Sequence, residues 1–347
     1  MLMTLKKYFF IVFLISNVIL LKTTFAQIPA GYYNNAQGLS GDELKLALHD
    51  IIDDHIQFSY NDLRDFILKN TDEDPGNSNN VILLYTGRSQ DKNTFGGDPN
   101  DWNREHVWAK SHGGFGNNPP AGTDAHHIRP TDVSVNGDRG NLDFDIGGNP
   151  VPEAPGCFKD SDSFEPRDAV KGDVARMIFY MATRYEGGGN EPDLEVVDAV
   201  NTYPNPQHGK LSQLILWNTL DPPDDFEKNR NDVIYYQYQE NRNPFVDHPE
   251  YVDAIWGDPS DIFSNKTTDI AVYPNPATYV LNISGQDTEN LEYSIFSIYG
   301  NYIMKDNLVP TSSKINIEKL VSGIYFLSIT DKSNQVTKKI TFVKTAN

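Results

Sequence analysis

Glu105 and His106 are an adjacent pair of side chains that could do chemistry together in this chain of 347 residues. A neutral imidazole takes a proton near physiological pH, and a carboxylate is a hard oxygen ligand for Mg²⁺ or Ca²⁺. Hydrolysis of a phosphodiester needs a base to deprotonate water, a cation to neutralise the developing charge and a donor for the leaving oxygen. The pair could supply the base and a ligand for the cation. Alone, a Glu-His dipeptide says little, because glutamate is usually a surface residue. Its surroundings say more. Asp124-Ala125-His126-His127-Ile128-Arg129-Pro130 brings two further histidines, and Val135-Asn136-Gly137-Asp138-Arg139-Gly140-Asn141 brings amides, a carboxylate and a guanidinium. Four of the eight histidines, His106, His112, His126 and His127, fall within residues 101–141. Such grouping in a loop-rich stretch marks a site rather than a core.

The elements that must position these residues show in the apolar periodicity. Leu44, Leu46, Leu48, Ile51, Ile52 and Ile56, with Asp42 and Glu43 ahead of them, predict two helices over residues 39–68, broken near Phe58-Ser59-Tyr60-Asn61. Val81-Ile82-Leu83-Leu84-Tyr85-Thr86, ended by Gly87, predicts a buried strand. Glu105-His106-Val107-Trp108 reads as a short strand. Neighbours on a strand point to opposite faces, so this strand must end or bend at the pair if both serve one site. A long Gly/Asn/Pro loop follows over residues 113–122, and loops of this kind are often functional. Val174, Met177, Ile178, Met181 and Ala182 predict an amphipathic helix, and further helices are expected over residues 211–219 and 226–239. Beyond the polar linker Ser264-Asn265-Lys266-Thr267-Thr268, short alternating strands such as Leu291-Glu292-Tyr293-Ser294-Ile295 predict a small all-β sandwich. The fold class is α+β: a mostly helical domain over residues 27–264, then the β-domain over residues 265–347.

Residues 1–26 stand apart. Lys6 and Lys7 precede the apolar run 8–21, and Thr24-Phe25-Ala26 offers small residues for cleavage, which is the pattern of a signal peptide. The run is shorter than the roughly 20 residues of a spanning helix, and nothing after residue 26 is long and apolar enough to cross a bilayer. Cys157 is the only cysteine, so no internal disulfide forms. Residues 27–264 hold 18 Lys and Arg against 41 Asp and Glu, a balance of −23. A uniformly acidic surface repels phosphodiesters. A substrate of that kind is compatible with this charge only if the few bases are focused in one cleft or divalent cations carry the contact.

Asn103-Arg104-Glu105-His106-Val107-Trp108, Asp124-Ala125-His126-His127-Ile128-Arg129-Pro130 and Val135-Asn136-Gly137-Asp138-Arg139 together resemble the bacterial endonuclease I family. Leu84-Tyr85-Thr86-Gly87-Arg88-Ser89, Lys171-Gly172-Asp173-Val174-Ala175-Arg176 and Asn241-Arg242-Asn243-Pro244-Phe245 extend the resemblance over roughly residues 30–257. It implies a ββα-metal (His-Me finger) site and a secreted, non-specific endonuclease acting on DNA, with RNA left open as a second substrate. By the resemblance His106 is the general base, and Glu105 and Asn136 are the protein ligands of one divalent metal, Mg²⁺ first, with Ca²⁺ or Mn²⁺ as alternatives. The family also sets an arginine against the phosphate. Residues 111–124 contain no arginine, which leaves that role to Arg88, Arg129, Arg139 or Arg184, with Arg129 and Arg139 carried as site residues. Ala109 stands where many relatives have proline. His126 is expected to pack beneath the site, His127, His112 and His208 to be structural or exposed, and Asp138 to pair with Arg139. No stable protein partner is implied.

Val272-Tyr273-Pro274-Asn275-Pro276-Ala277, Ile298-Tyr299-Gly300 and Leu320-Val321-Ser322-Gly323-Ile324-Tyr325-Phe326 resemble the type A sorting domain of the type IX secretion system. That resemblance implies the type IX machinery as a partner and a secreted or surface-held product. The rival for this segment is a carbohydrate- or surface-binding module. For the whole chain two rivals stand: a zinc-dependent hydrolase with His106, His126 and His127 as ligands, lacking the helical His-Glu-x-x-His spacing, and a non-catalytic surface adhesion protein.

Overall fold

The computed structural model describes residues 28–189, 191–257, 271–284, 291–297, 302–308, 314–331 and 336–345. The expected signal peptide and the polar linker at 264–268 lie outside them. Leu44, Leu48 and Ile52 recur every four residues and form the buried face of helix α1 (Gly41–Ile52), whose first turn carries Asp42 and Glu43. The expected break falls where Ser59 caps the next helix. Its hydroxyl accepts from the Asp62 N–H at 3.2 Å, and the Asp62 carboxylate accepts from the Ser59 N–H at 2.8 Å, a capping box. From there α2 (Tyr60–Asp62) runs through a π-helical turn (Leu63–Ile67) into α3 (Leu68–Thr71).

Strands β1 (Glu73–Asp74), β2 (Asn77–Ile82) and β3 (Ser89–Asp91) form an antiparallel sheet. The ladder stops at Ile82, so the apolar run 81–86 is only partly strand. The Gly87 N–H donates to the Leu83 carbonyl at 2.8 Å and closes a turn at φ +68°, a conformation that favours glycine. Leu83, Leu84 and Tyr85 are fully buried nonetheless. The Leu84 N–H reaches the Pro130 carbonyl at 2.9 Å, so hydrophobicity here marks a buried turn.

The central supersecondary unit follows. Strand β4 (Trp102–His106) pairs antiparallel with β5 (Ile128–Asp132), and helix α4 (Val133–Arg139) packs back on both strands. Its root joins two hydrophobic clusters. Val107, Trp108 and Val135 belong to the larger one, and Trp102 and Ile128 to a second with Leu63, Ile67, Val81 and Ile234.

Helix α5 (Lys171–Arg184) forms the centre of the larger cluster, against α1 and α6 (Leu211–Leu220). The sequence predicts it amphipathic, yet all its residues are buried. Its polar face lies in ion pairs rather than water: Arg176 donates to Glu227 at 2.8 and 2.5 Å, and Arg184 to Glu191 at 2.7 Å. The helix expected over 226–239 is α7 (Asp225–Val233), capped by Asp224 and continued by a π-helical turn (Ile234–Gln239). Residues 28–257 mix these helices with four small sheets among the described residues, an α+β arrangement.

The C-terminal residues form two antiparallel sheets. One holds Ala271–Tyr273, Val280–Ser284 and Lys314–Asn316, and the other Leu291–Ser297, Tyr302–Asn307, Gly323–Asp331 and Val336–Lys344. Leu281, Ile283 and Ile315 of the first share one core with Leu291, Ile295, Leu327 and Phe342 of the second. Among the described residues no helix is long and apolar enough to cross a membrane.

Candidate active site

Strand β4 and helix α4 enclose one side of a cavity of about 520 Å³, whose lining includes Glu105, His106 and Asn136. Strand β4 ends at His106, which meets the condition that the strand end or bend for both members of the pair to face one site. In the hairpin Glu105 stands opposite Arg129 and His106 opposite Ile128. On α4, the Asn136 amide nitrogen donates to Asn103 Oδ1 at 2.7 Å and to the Arg104 carbonyl at 3.3 Å. Those bonds turn the amide so that its oxygen remains for a ligand.

Glu105 is 2% exposed. Its Oε1 accepts from the Tyr85 hydroxyl at 2.6 Å and lies 3.3 Å from Arg139 Nη1. Burial pushes the carboxyl up, while Arg139 and the Tyr85 hydroxyl pull it down, and the net direction is upward. Both contacts use Oε1, so Oε2 is left for a cation. His106 Nε2 lies 3.1 Å from the Gly122 carbonyl. An acceptor there assigns the proton to Nε2 and the lone pair to Nδ1. The ring stacks on Tyr60 at 5.6 Å, and burial, with His127 adding to it, holds its pKa well below the usual histidine value. His106 is therefore neutral at physiological pH, with one nitrogen unclaimed.

Two hard oxygens, Glu105 Oε2 and Asn136 Oδ1, thus line the cavity without protein partners. Their chemistry suits an oxygen-preferring divalent cation, whose charge would also favour the ionised form of the buried Glu105.

Arg139 lines the cavity, but both its terminal nitrogens are committed, and only Nε is buried without a partner. Nη1 donates to the His106 carbonyl at 3.1 Å, and Nη2 donates to the Val107 carbonyl at 2.6 Å and to His208 Nε2 at 3.1 Å. It ties the end of β4 and Glu105 in place. The expected Arg139–Asp138 pair does not form, because Asp138 pairs with Lys159 on the half-exposed surface. Arg129, carried from the sequence as a site residue, does not line the cavity. It is 1% exposed and bound to Asp72 and, at 3.3 Å, to Asp173. Arg88 pairs with Asp132, and Arg184 donates to His55 at 3.1 Å and to Glu191; neither lines the cavity. The sequence reading passed over Arg104, which does. It also missed Tyr60 and Tyr85, whose contacts with the pair are set by tertiary packing rather than by spacing.

His112, His126, His127 and His208 are buried. His126 Nε2 lies 3.1 Å from the Asn241 carbonyl, and His127 Nε2 lies 2.9 Å from that of Ala121. His106, His126 and His127 do not bring three ligand atoms together among the described residues, which removes the support for the zinc reading. His112, Asp143 and His208 do come within 4.8 Å of one another, but their atoms are engaged. His112 meets the Gln207 and Asn141 carbonyls at 2.8 Å, Arg139 donates to His208 Nε2, and Asp143 accepts from Thr202 and Gly209.

The cavity also answers the acidic composition. Its charged lining residues are Arg104, Lys110 and Arg139 against the single carboxylate of Glu105, so bases are concentrated at one concave surface of an acidic chain.

Residues 40–250 match the Endonuclease I family, and residues 271–344 match the secretion system C-terminal sorting domain. The chain is 59% identical over 225 residues to an extracellular ribonuclease of Bacillus subtilis (strain 168), and 60% identical over 225 residues to one of Bacillus amyloliquefaciens. Each alignment covers 65% of this chain and 78% of the relative. Among solved structures, PorZ of the Porphyromonas gingivalis type-IX secretion system is similar only at a TM-score of 0.19 and 18% identity, over 26% of this chain and 13% of that one, too little to carry an argument. A family match over more than half of the chain, relatives at this identity and a sorting domain lead to one conclusion: this chain is a secreted nuclease and belongs to the endonuclease I family.

Proposed function

We propose that this chain is a non-specific endonuclease that hydrolyses phosphodiester bonds of RNA and DNA, with His106 as general base and Glu105 and Asn136 as ligands of one divalent cation, Mg²⁺ first. The observation that carries this reading is the cavity lined by all three side chains, in which His106 Nδ1 holds an unclaimed lone pair. The cation, when bound, would neutralise charge developing on the phosphate. Water gives its proton to His106 Nδ1, its oxygen bonds to phosphorus, and the bond from phosphorus to the leaving oxygen breaks as that oxygen takes a proton from solvent. The Gly122 carbonyl holds the imidazole tautomer, and Arg139 with Tyr85 holds the Glu105 carboxylate. RNA enters the substrate class because the two relatives are named ribonucleases, while the resemblance of the motif favours DNA. Residues 1–26 are taken as a signal peptide from their sequence pattern, 27–264 as the nuclease domain and 265–347 as a β-sandwich sorting domain read by the type IX secretion machinery; the matched ranges 40–250 and 271–344 fall within the last two.

The test is digestion of plasmid and of RNA by the purified chain in Mg²⁺, Mn²⁺ or Ca²⁺. Cleavage should require a divalent cation and stop with EDTA. Cleavage at an undiminished rate in EDTA would overturn the metal assignment. A His106→Ala enzyme as fast as the parent would overturn the base.

A further inference from the structure

Buried or half-buried arginines in this protein are mostly tied to carboxylates: Arg129 to Asp72, Arg176 to Glu227, Arg184 to Glu191. Arg104 is the exception inside the cavity wall. Among the described residues no carboxylate lies within ion-pair distance of it. Its guanidinium carbon sits 3.4 Å over the centre of the Tyr60 ring and 5.1 Å from that of Phe95. Nη1 donates to the Tyr60 carbonyl, and Nε is buried with no hydrogen-bond partner. The fork edge made by Nε and Nη2 therefore lies opposite the one bond the group makes. A planar cation held against two rings, with a two-donor edge uncommitted and no carboxylate in contact, is arranged to receive a bidentate oxyanion.

We propose that Arg104 is the residue that grips the phosphate of the substrate, its Nε–Nη2 edge donating to non-bridging oxygens while Tyr60 and Phe95 fix the plane of the guanidinium. The inference rests on the nuclease reading above. The other cavity cations are differently placed: Arg139 Nη1 and Nη2 are committed to protein acceptors, and Lys110 donates to Asn117 at 2.9 Å from an exposed loop. Arg104 immediately precedes Glu105, so the strand that presents the carboxylate also presents the grip. Sequence spacing alone does not mark the residue. Nε is orphaned in Arg139 as well, but there both terminal nitrogens are bound to protein, whereas in Arg104 the orphaned Nε stands beside an Nη2 that makes no hydrogen bond among the described residues.

The experiment uses the full secreted chain, its Arg104→Ala and Arg104→Lys variants, and two readouts. The first is cleavage kinetics in Mg²⁺; the second is binding of a fluorescent single-stranded DNA oligonucleotide in EDTA over a range of salt. Arg104→Ala should lower kcat/KM by about 10²–10³ and make the slope of log affinity against log salt shallower by about 0.7. Arg104→Lys keeps the charge and so the parental slope, yet cleaves at least about tenfold more slowly because a point ammonium cannot reproduce the fork. An alanine variant with the parental slope overturns the contact, and a lysine variant that cleaves at the parental rate overturns the bidentate grip. Should the alanine variant fail to fold by circular dichroism, the lysine variant decides. A parent chain that binds but cleaves nothing refutes the nuclease reading, and the salt slope then still decides Arg104.

Discussion

Arg129 and Arg104 rise from the two paired strands β5 and β4, and the structure treats them oppositely: the sequence marked the first as a site residue and not the second, and the structure reverses them. Beneath the hairpin Arg129 shares Asp72 with Arg230 and reaches Asp173, while its neighbours Arg176 and Glu227 satisfy each other. In the cavity, His106 Nδ1, Glu105 Oε2 and Arg104 Nε are left without partners. Residue types are alike in the two regions; what differs is whether donors and acceptors are matched. Buried charges are costly unless paired, so an interior network closes on itself, and a site is recognised by the atoms it leaves open.

The sharpest break of this contrast comes from removing one group on each side. His106→Ala should lower kcat by about 10²–10⁴ with the chemical-denaturation midpoint little changed, because the ring closes one hydrogen bond to Gly122 and no ion pair. Arg129→Ala should do the reverse. It leaves Asp72 and Asp173 short of a partner, which in a buried pair costs about 3–5 kcal/mol, read as a lower midpoint in urea. Activity per folded molecule should stay near the parental value. A large kcat loss in well-folded Arg129→Ala would move Arg129 back into the site.

The histidines extend the comparison to pH. Burial pushes the pKa of both His126 and His127 down to about 4 from an ordinary value of 6.5. The folded chain therefore binds these protons less readily than the unfolded chain. Their contribution to stability is complete above pH 6.5 and is lost as the pH falls towards 4, each at a slope of at most about 1.4 kcal/mol per pH unit. Urea midpoints at pH 7.5, 6 and 5 measure this. A flat profile across that window would mean that these rings are hydrated or already protonated at neutral pH.

Glu105 and His106 were legible as candidates because a hard ligand and a base stand side by side, whereas Asn136 was singled out only by the resemblance of the flanking blocks to a family pattern; the three line one cavity. The helix break near Ser59, helix α1 and the alternating strands of the C-terminal residues were legible from periodicity and turn chemistry. The choice of arginine was not, since strand alternation says which face a side chain leaves from but not which carboxylate waits there. Nor was the partner of Glu105, because Tyr85 meets it only after a turn that reads as strand. Helix α5 misled for a related reason: its Arg176 and Arg184 look solvent-facing until Glu227, 51 residues on, and Glu191, just past the helix end, are brought beside them.

The smallest expected effect tests the weakest of these pairings. The sequence suggested that Asp138 holds the Asn136 helix through Arg139, whereas the structure pairs it with Lys159, both side chains being over a third exposed. Exposed pairs of this kind contribute about 0–1 kcal/mol, and Asp138 touches neither Glu105 nor His106. Asp138→Ala should therefore leave kcat/KM within about twofold of the parent and move the urea midpoint by less than the pH change from 6 to 5 does. A loss of activity comparable to that of Arg104→Ala would mean that α4 is held from its outer face. The hydrogen bonds from Asn136 to Asn103 and Arg104 would then be insufficient to keep the amide oxygen turned towards the cavity.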